Sequence, residues 1–316
     1  MSSHSAFTRR DFNQRSLLGL LSLTAAGRSA STSMADEQQH AGWIDAHVHV
    51  WSPDTQQYPI SKNFTQDDMQ PPSFTAEQLF SHSRPAGVTR IVLIQMSFYE
   101  YDHRYMLEVM QAHPKVFSGV ALIDYRSDQL VHRMDELAGV GIRGFRLHSR
   151  GDAAAWATDP GMAKLWQHAG KKGLAVCPLI NPSDLSIVDG LCKKFPGTTV
   201  VVDHFSRVGI SGTIEQDELR QLCNLARHPN THVKTSAFYA LGQKTPPYED
   251  LQAMIRQVVD SFSPERLMWA SDCPYQVQPP HSYQASIGLI RDRCDFLSDS
   301  DKQWLLRGTA EKVFFA

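Results

Sequence analysis

No uncharged hydrophobic run in this sequence reaches the ~20 residues that a bilayer-crossing helix needs. Charge of neither sign is in excess. The 316 residues carry 31 Lys and Arg against 33 Asp and Glu, a formal net charge of −2. That balance gives no electrostatic footprint for nucleic acid. Cysteine is sparse: Cys177, Cys192, Cys223, Cys273 and Cys294 show neither zinc-knuckle nor CxxC spacing. An odd number cannot all pair within one chain, so buried free thiols are expected. No Gly-x-Gly-x-x-Gly turn follows the first apolar run, which argues against a dinucleotide site. Beyond residue 40 there is no internal repeat and no low-complexity segment. What remains is 42% hydrophobic and 20% charged, ordinary for a globular protein. The length suits one α/β barrel with a leader.

The N-terminus departs from this background. Arg9, Arg10 and Arg15 precede an apolar stretch, Ser16–Ala26, and then small residues. Charged, apolar, small is the order of an export signal. Ser33 and Ala35 predict cleavage after Ala35, giving a leader over 1–35 and a mature domain over 42–316. A short amphipathic helix is the alternative. TRRDFNQRSLLGLL resembles a twin-arginine leader, although Asn13 stands where a bulkier apolar residue is usual. The resemblance implies the twin-arginine export machinery as a partner. It also implies a periplasmic or secreted product without a stable membrane anchor. Folding before export, in a reducing cytosol, disfavours disulfides.

From Gly42 onward, short apolar runs alternate with segments of helical period. The runs Trp43–Val50, Arg90–Met96, Val116–Ile123, Ile142–His148, Leu174–Ile180, Thr198–His204, His232–Ser236 and Arg266–Ser271 read as strands buried on both faces. Helical period marks Tyr105–His113, Asp128–Ala138, Gly161–Lys171, Asp217–Arg227 and Tyr248–Phe262. Ser127 with Asp128, Asp159 with Pro160, and Ser183 with Asp184 read as helix starts. Asp299–Phe315 reads as a terminal helix packing back on the rest. Eight strands, each followed by a helix, predict an α/β fold, a (β/α)₈ TIM barrel. An open doubly wound sheet is the alternative that pattern leaves. The Pro-rich loop Ser52–Ser73 is long enough to read as a lid or binding segment.

In a barrel, chemistry sits at the C-terminal ends of strands. Those ends supply His47 and His49; Arg146, His148 and Arg150; Asp203 and His204; Lys234, Thr235 and Ser236; and Asp272. An apolar strand ending in an ionisable group needs a partner for it. His47 and His49 are two apart, so they share a strand face, and Asp45 falls on that face by the same count. Two such imidazoles suit a metal or a polarised carbonyl better than a core. Asp272 precedes Pro274 and has a helix N-cap as its plain alternative. Arg146 and Arg150 are candidate carboxylate forks, with a solvated loop charge as the alternative for Arg150. Lys234 has two readings, substrate contact or pairing with an acid inside the barrel. Tyr58, Gln95, Tyr99 and Tyr239 are candidate pocket-shaping residues on loops over the mouth. Trp51 and Trp269 read as core. Cys273, beside Asp272, has no nucleophile signature around it.

IDAHVHVW, GIRGFRLH, VVVDHFSRVG, HVKTSAFY, RLMWASDCPY and the closing RGTAEKVF, in that order over about 43–315, resemble the amidohydrolase-related family of metal-dependent hydrolases. DAHVHVWSPD with the later Tyr58-Pro59 resembles its lactonase branch, which holds 2-pyrone-4,6-dicarboxylate lactonase and L-fuconolactonase. The resemblance implies an amidohydrolase-type barrel and hydrolysis of a sugar or carboxylated lactone by water. Asp272 would be the general base, with His47, His49 and His204 polarising the carbonyl. Burial would raise the Asp272 pKa toward the working pH. Decarboxylases of the superfamily carry a strand-5 histidine as a metal ligand. This chain has Cys177-Pro178-Leu179-Ile180 there, which points away from decarboxylation and leaves His47, His49 and Asp272 as the available metal ligands. Cys177 as a soft ligand is a weaker option. The cofactor expectation is therefore either none or one divalent metal, zinc or manganese. A metal-dependent decarboxylase or amide hydrolase, and a non-catalytic ligand-binding barrel, are the alternatives.

Overall fold

The computed structural model describes residues 42–316; the expected leader lies outside them. Eight parallel strands run in sequence order around one sheet. They are β1 Trp43–Val48, β2 Val88–Ile94, β3 Phe117–Leu122, β4 Ile142–His148, β5 Ala175–Leu179, β6 Thr199–Val202, β7 Thr231–Thr235 and β8 Leu267–Trp269. The ring closes where β1 meets the segment after β8. Asp272 N donates to His47 O at 2.9 Å, and His49 N to Cys273 O at 2.9 Å. This is a (β/α)₈ TIM barrel, as the alternation of runs predicted.

Helices follow the strands: α1 Ala76–Ser83, α2 Arg104–Ala112, α3 Leu130–Gly139, α4 Pro160–Lys172, α5 Leu185–Lys194, α6 Gln216–Asn224, α7 Gln252–Phe262 and α8 Tyr283–Gly288. Among the described residues, none is long and apolar enough to cross a membrane. Their starts have local causes. The Asp159 carboxylate accepts from Gly161 N and Met162 N ahead of α4, with Pro160 in the first turn. Thr75 and Gln78 cap α1 reciprocally. Ser127 caps no helix; α3 begins later, at Leu130. The terminal run 299–314 is helical with a π-turn over Trp304–Gly308.

Inside the barrel, Ile44, Ala46, Val92, Ile94, Val120, Val201 and Met268 pack together, and Ala310 and Phe314 of the terminal helix join them. A Cβ on Gly144 would lie 3.0 Å from the Ala175 carbonyl, so β4 contributes no side chain at that level. Above this apolar packing the inward positions become ionisable.

β1 corrects one expectation. Its pairing with β2 shifts register between Asp45 and Val48. Such a bulge adds a residue and turns the following side chains over. Asp45, ahead of the shift and between inward Ile44 and Ala46, faces the helix layer, accepting from Tyr283 Oη at 2.7 Å and Ser271 N at 2.9 Å. It does not share a face with His47 and His49. Burial pushes its carboxyl up to about 6, against the opposing hydrogen bonds from Ser271, Tyr283 and His47.

Candidate active site at the barrel closure

The buried ionisable residues gather at the closure of the barrel. A cavity of about 360 Å³ opens at the C-terminal ends of the strands, lined by His49, His204 and Asp272 with Arg146, Arg207 and Tyr239 among others. His47 lies just beneath and is fully buried. Its Nε2 is 3.3 Å from His49 Nε2 and 3.5 Å from Asp272 Oδ1, and His49 Nε2 is 3.4 Å from the same oxygen. His204 Nε2 lies 3.7 Å from Asp272 Oδ2. The structure thus brings together the four residues proposed as catalytic from the sequence.

Each is held from behind. His49 Nδ1 donates to the Ile94 carbonyl at 2.9 Å, which leaves its Nε2 lone pair facing the cavity. His204 Nδ1 shares a 2.7 Å hydrogen bond with Ser236 Oγ. Tyr239 Oη donates to Asp272 Oδ2 at 2.7 Å. Asp272 itself has φ +63°, a left-handed conformation that Asp tolerates better than most residues. Below them, Lys234 Nζ sits 3.0 Å from both Asp203 Oδ1 and His47 Nδ1, and Arg146 Nε 3.6 Å from Asp203 Oδ2.

His204 is placed by an unusual turn. β6 stops at Val202, and His204, Phe205, Ser206 and Arg207 all have φ between +51° and +61°. One turn of left-handed backbone costs about 1–2 kcal/mol per residue for L-amino acids. It sets His204 and Arg207, three residues apart, on the same cavity. Buried Phe205 and Ser206 anchor the turn, and Arg207 Nη1 donates to Asn181 Oδ1 at 3.2 Å.

The electrostatics correct a second expectation. Burial works to raise Asp272, but the rings of His204, His49 and His47 outweigh it and hold the carboxyl below the usual range. Burial holds His47 down, reinforced by Lys234, and burial brings His204 to about 4. His148 at the mouth is also pushed to about 4, by burial and then by Arg146 and Arg207. At neutral pH Asp272 is therefore ionised beside neutral His47 and His204.

The donor positions fit one divalent ion. Three ligands of a tetrahedral zinc, at ~2.0–2.1 Å from the metal, lie about 3.3 Å apart. Here the three edges are 3.3, 3.4 and 3.5 Å. Asp272 Oδ1 is buried and makes no hydrogen bond. His47, Asp203 and His204 form a second possible set, but Asp203 already faces Lys234 and Arg146.

Several residues expected to bind substrate sit elsewhere. Lys234 is fully buried in the ion pair beneath the floor. Arg150 is exposed and does not line the cavity. Tyr58 is tied to Glu108 at 2.5 Å, and Tyr99 Oη accepts from Ser52 N. Gln95 Nε2 donates to the carbonyls of Glu100 and Asp102, bracing a loop. Arg207 and Tyr275 line the cavity and were not singled out from the sequence. A basic residue three after His204 was the only available sign of Arg207, and it has meaning only once the turn is known to be left-handed. Leu179 lines the cavity at the end of β5, where no histidine stands.

Residues 44–316 match the family model described as Amidohydrolase. The chain belongs to that family. An L-fucono-1,5-lactonase from Burkholderia ambifaria is 27% identical over 281 residues, covering 84% of this chain and 93% of the lactonase. The crystal structure of a 2-pyrone-4,6-dicarboxylic acid hydrolase assigned in Pseudomonas putida is 26% identical with a TM-score of 0.72, covering 87% of this chain and 97% of that one. A Burkholderia multivorans amidohydrolase solved with bound zinc shares the fold at 20% identity and a TM-score of 0.73, covering 86% of this chain and 99% of that one.

Proposed function

We propose that this amidohydrolase opens a lactone that carries an anionic group. The carrying observation is that Arg146 and Arg207 line the same cavity as Asp272, His49 and His204. Three cations in and under the cavity (Arg146, Arg207, Lys234) stand against two carboxylates (Asp203, Asp272), while burial keeps His47 and His204 neutral. The excess is positive, and guanidinium forks suit a carboxylate or sulfonate. The related proteins that act on lactones support the ester class.

In this reading the arginines fix the anionic group and present the ring carbonyl to the floor. Asp272, ionised at neutral pH, takes a proton from water as the oxygen attacks the carbonyl carbon. Tyr239 steadies the carboxylate through Oδ2. His204, which lines the cavity, faces the oxyanion that develops. Collapse breaks the ring C–O bond, and the proton returns to the departing alkoxide, giving a hydroxy acid. A divalent ion held by His47, His49 and Asp272 would supply Lewis-acid polarisation of the carbonyl.

The test is turnover of carboxylated lactones against neutral aldonolactones of equal ring size. The expected kcat/KM ratio favours the anionic rings by at least ~10-fold, and Arg207→Ala erases most of that preference by raising KM. Preference for neutral rings, unchanged in Arg207→Ala, would sink the anionic reading. We also propose that residues 1–35 direct export, supported by Arg9-Arg10 and the apolar stretch behind them. Replacing both arginines by Lys is expected to retain the protein in the cytosol; undiminished export would refute a twin-arginine route.

A further inference from the structure

We infer that Lys234 is a positioning residue that places the proton of His47 on Nε2, and that it thereby sets how tightly the centre holds a divalent metal. Hydrogen-bond direction fixes the tautomer. Lys234 Nζ lies 3.0 Å from His47 Nδ1 in a fully buried setting. An ammonium has three donors and no acceptor, so Nδ1 must accept. A neutral imidazole with an accepting Nδ1 carries its hydrogen on Nε2. At the far side, His49 Nδ1 faces a backbone carbonyl, which can only accept, so His49 carries its hydrogen on Nδ1 and offers a lone pair at Nε2. His47 Nε2 and His49 Nε2 are 3.3 Å apart. Every role then agrees along one chain, from the Lys234 ammonium through His47 and His49 to the Ile94 carbonyl.

That order has a consequence for metal binding. The donor positions suit an ion, but the proton on His47 Nε2 stands where the metal bond would form. Metal-ligating histidines ordinarily donate their other ring hydrogen to a carboxylate or carbonyl. His49 meets that pattern and His47 does not. Asp203 Oδ1 is the acceptor that could serve His47 Nδ1, at 3.4 Å, but Lys234 lies closer to both atoms. An ion entering on His47, His49 and Asp272 requires the Nε2 hydrogen to move to Nδ1, where it would stand against a hydrogen of the buried Lys234 ammonium 3.0 Å away. Lys234 thus favours the metal-free arrangement. The inference holds whether or not the substrate is a lactone.

Two measurements on the full chain test it. Nitrogen-15 spectra of the metal-free protein report which His47 nitrogen is protonated, with the signals assigned by their loss in His47→Gln. The expected pattern is protonated Nε2 and accepting Nδ1; the reverse pattern overturns the proposal. Zinc affinity, read by calorimetry, is then compared in wild type and Lys234→Met. The expected gain in the variant is at least ~10-fold, the scale on which partners behind a ligand act. An unchanged or weaker affinity overturns the metal half of the inference. Removing Lys234 alone leaves Asp203 short of a partner, so the pair Lys234→Met with Asp203→Asn serves if the single variant does not fold. A purely structural lysine would leave the His47 tautomer and the zinc affinity where they are.

Discussion

The lower half of the barrel interior and its upper rim are built from the same eight strands and obey different rules. Below, inward positions are Ile44, Val92, Val120, Val201 and Met268, closed by Phe314. Period-two alternation places every one of them, with no charge to satisfy. Above, His47, Asp203, Lys234 and Asp272 are buried together, and the backbone gives up regularity to aim them. β1 shifts register after Asp45, a left-handed turn follows β6, and Asp272 takes a positive φ. Stability is made in one half, and strain is held in the other where chemistry needs it.

Emptying the lower half is expected to cost the most stability while sparing the site. Phe314→Ala removes a buried ring from beneath the site and is expected to cost about 3–5 kcal/mol. In a domain of this size that lowers Tm by about 10 °C, while KM at permissive temperature stays within a few-fold. A large KM change with little loss of Tm would show that the two halves are not separable.

Acid acts on buried histidines away from Asp272. His103, near the end of β3, and His232, low on β7, are each pushed down to about 4, chiefly by burial. Unfolded histidine titrates near 6.5. Between about 6.5 and 4 the unfolded chain binds more protons than the fold, so stability is complete above that window and falls as pH drops through it. The slope is up to about 1.4 kcal/mol per pH unit for each histidine. Urea midpoints measured from pH 7 to 4 should fall, and should fall less in His103→Gln combined with His232→Gln. Equal slopes in the two proteins would assign the acid sensitivity elsewhere.

The smallest effect tests strain directly. Ser206, fully buried with an unsatisfied hydroxyl, sits at φ +56°. Ser206→Gly relieves the left-handed cost and is expected to stabilise by about 1 kcal/mol, read as a rise in the urea midpoint. Destabilisation would mean that the turn is held by the serine rather than against it.

The lower half was legible in the sequence, because alternation and burial are local properties. Ile142–His148 appears as a strand with the bounds read from its residues, and the other seven differ at their ends. His47, His49, His204 and Asp272 were legible because an ionisable group at the end of an apolar strand has few other uses. Arg207 was not, since i and i+3 share a cavity here only through a left-handed turn that no glycine announces. Asp45 was assigned to the wrong face because a bulge breaks the count of two. Lys234 showed its two options; the choice between substrate and buried acid depended on Asp203, brought beside it by the barrel. Tyr58 and Gln95 fell in the expected loops, but their polar ends are taken up by Glu108 and by backbone carbonyls.

Asp272 is proposed to activate water at the barrel closure. Single-turnover hydrolysis of a carboxylated lactone by Asp272→Asn, beside wild type, tests it most directly. The account predicts a rate lower by about 10³-fold, with lactone binding within a few-fold of wild type. A rate within ten-fold of wild type would contradict it and move the base to another residue.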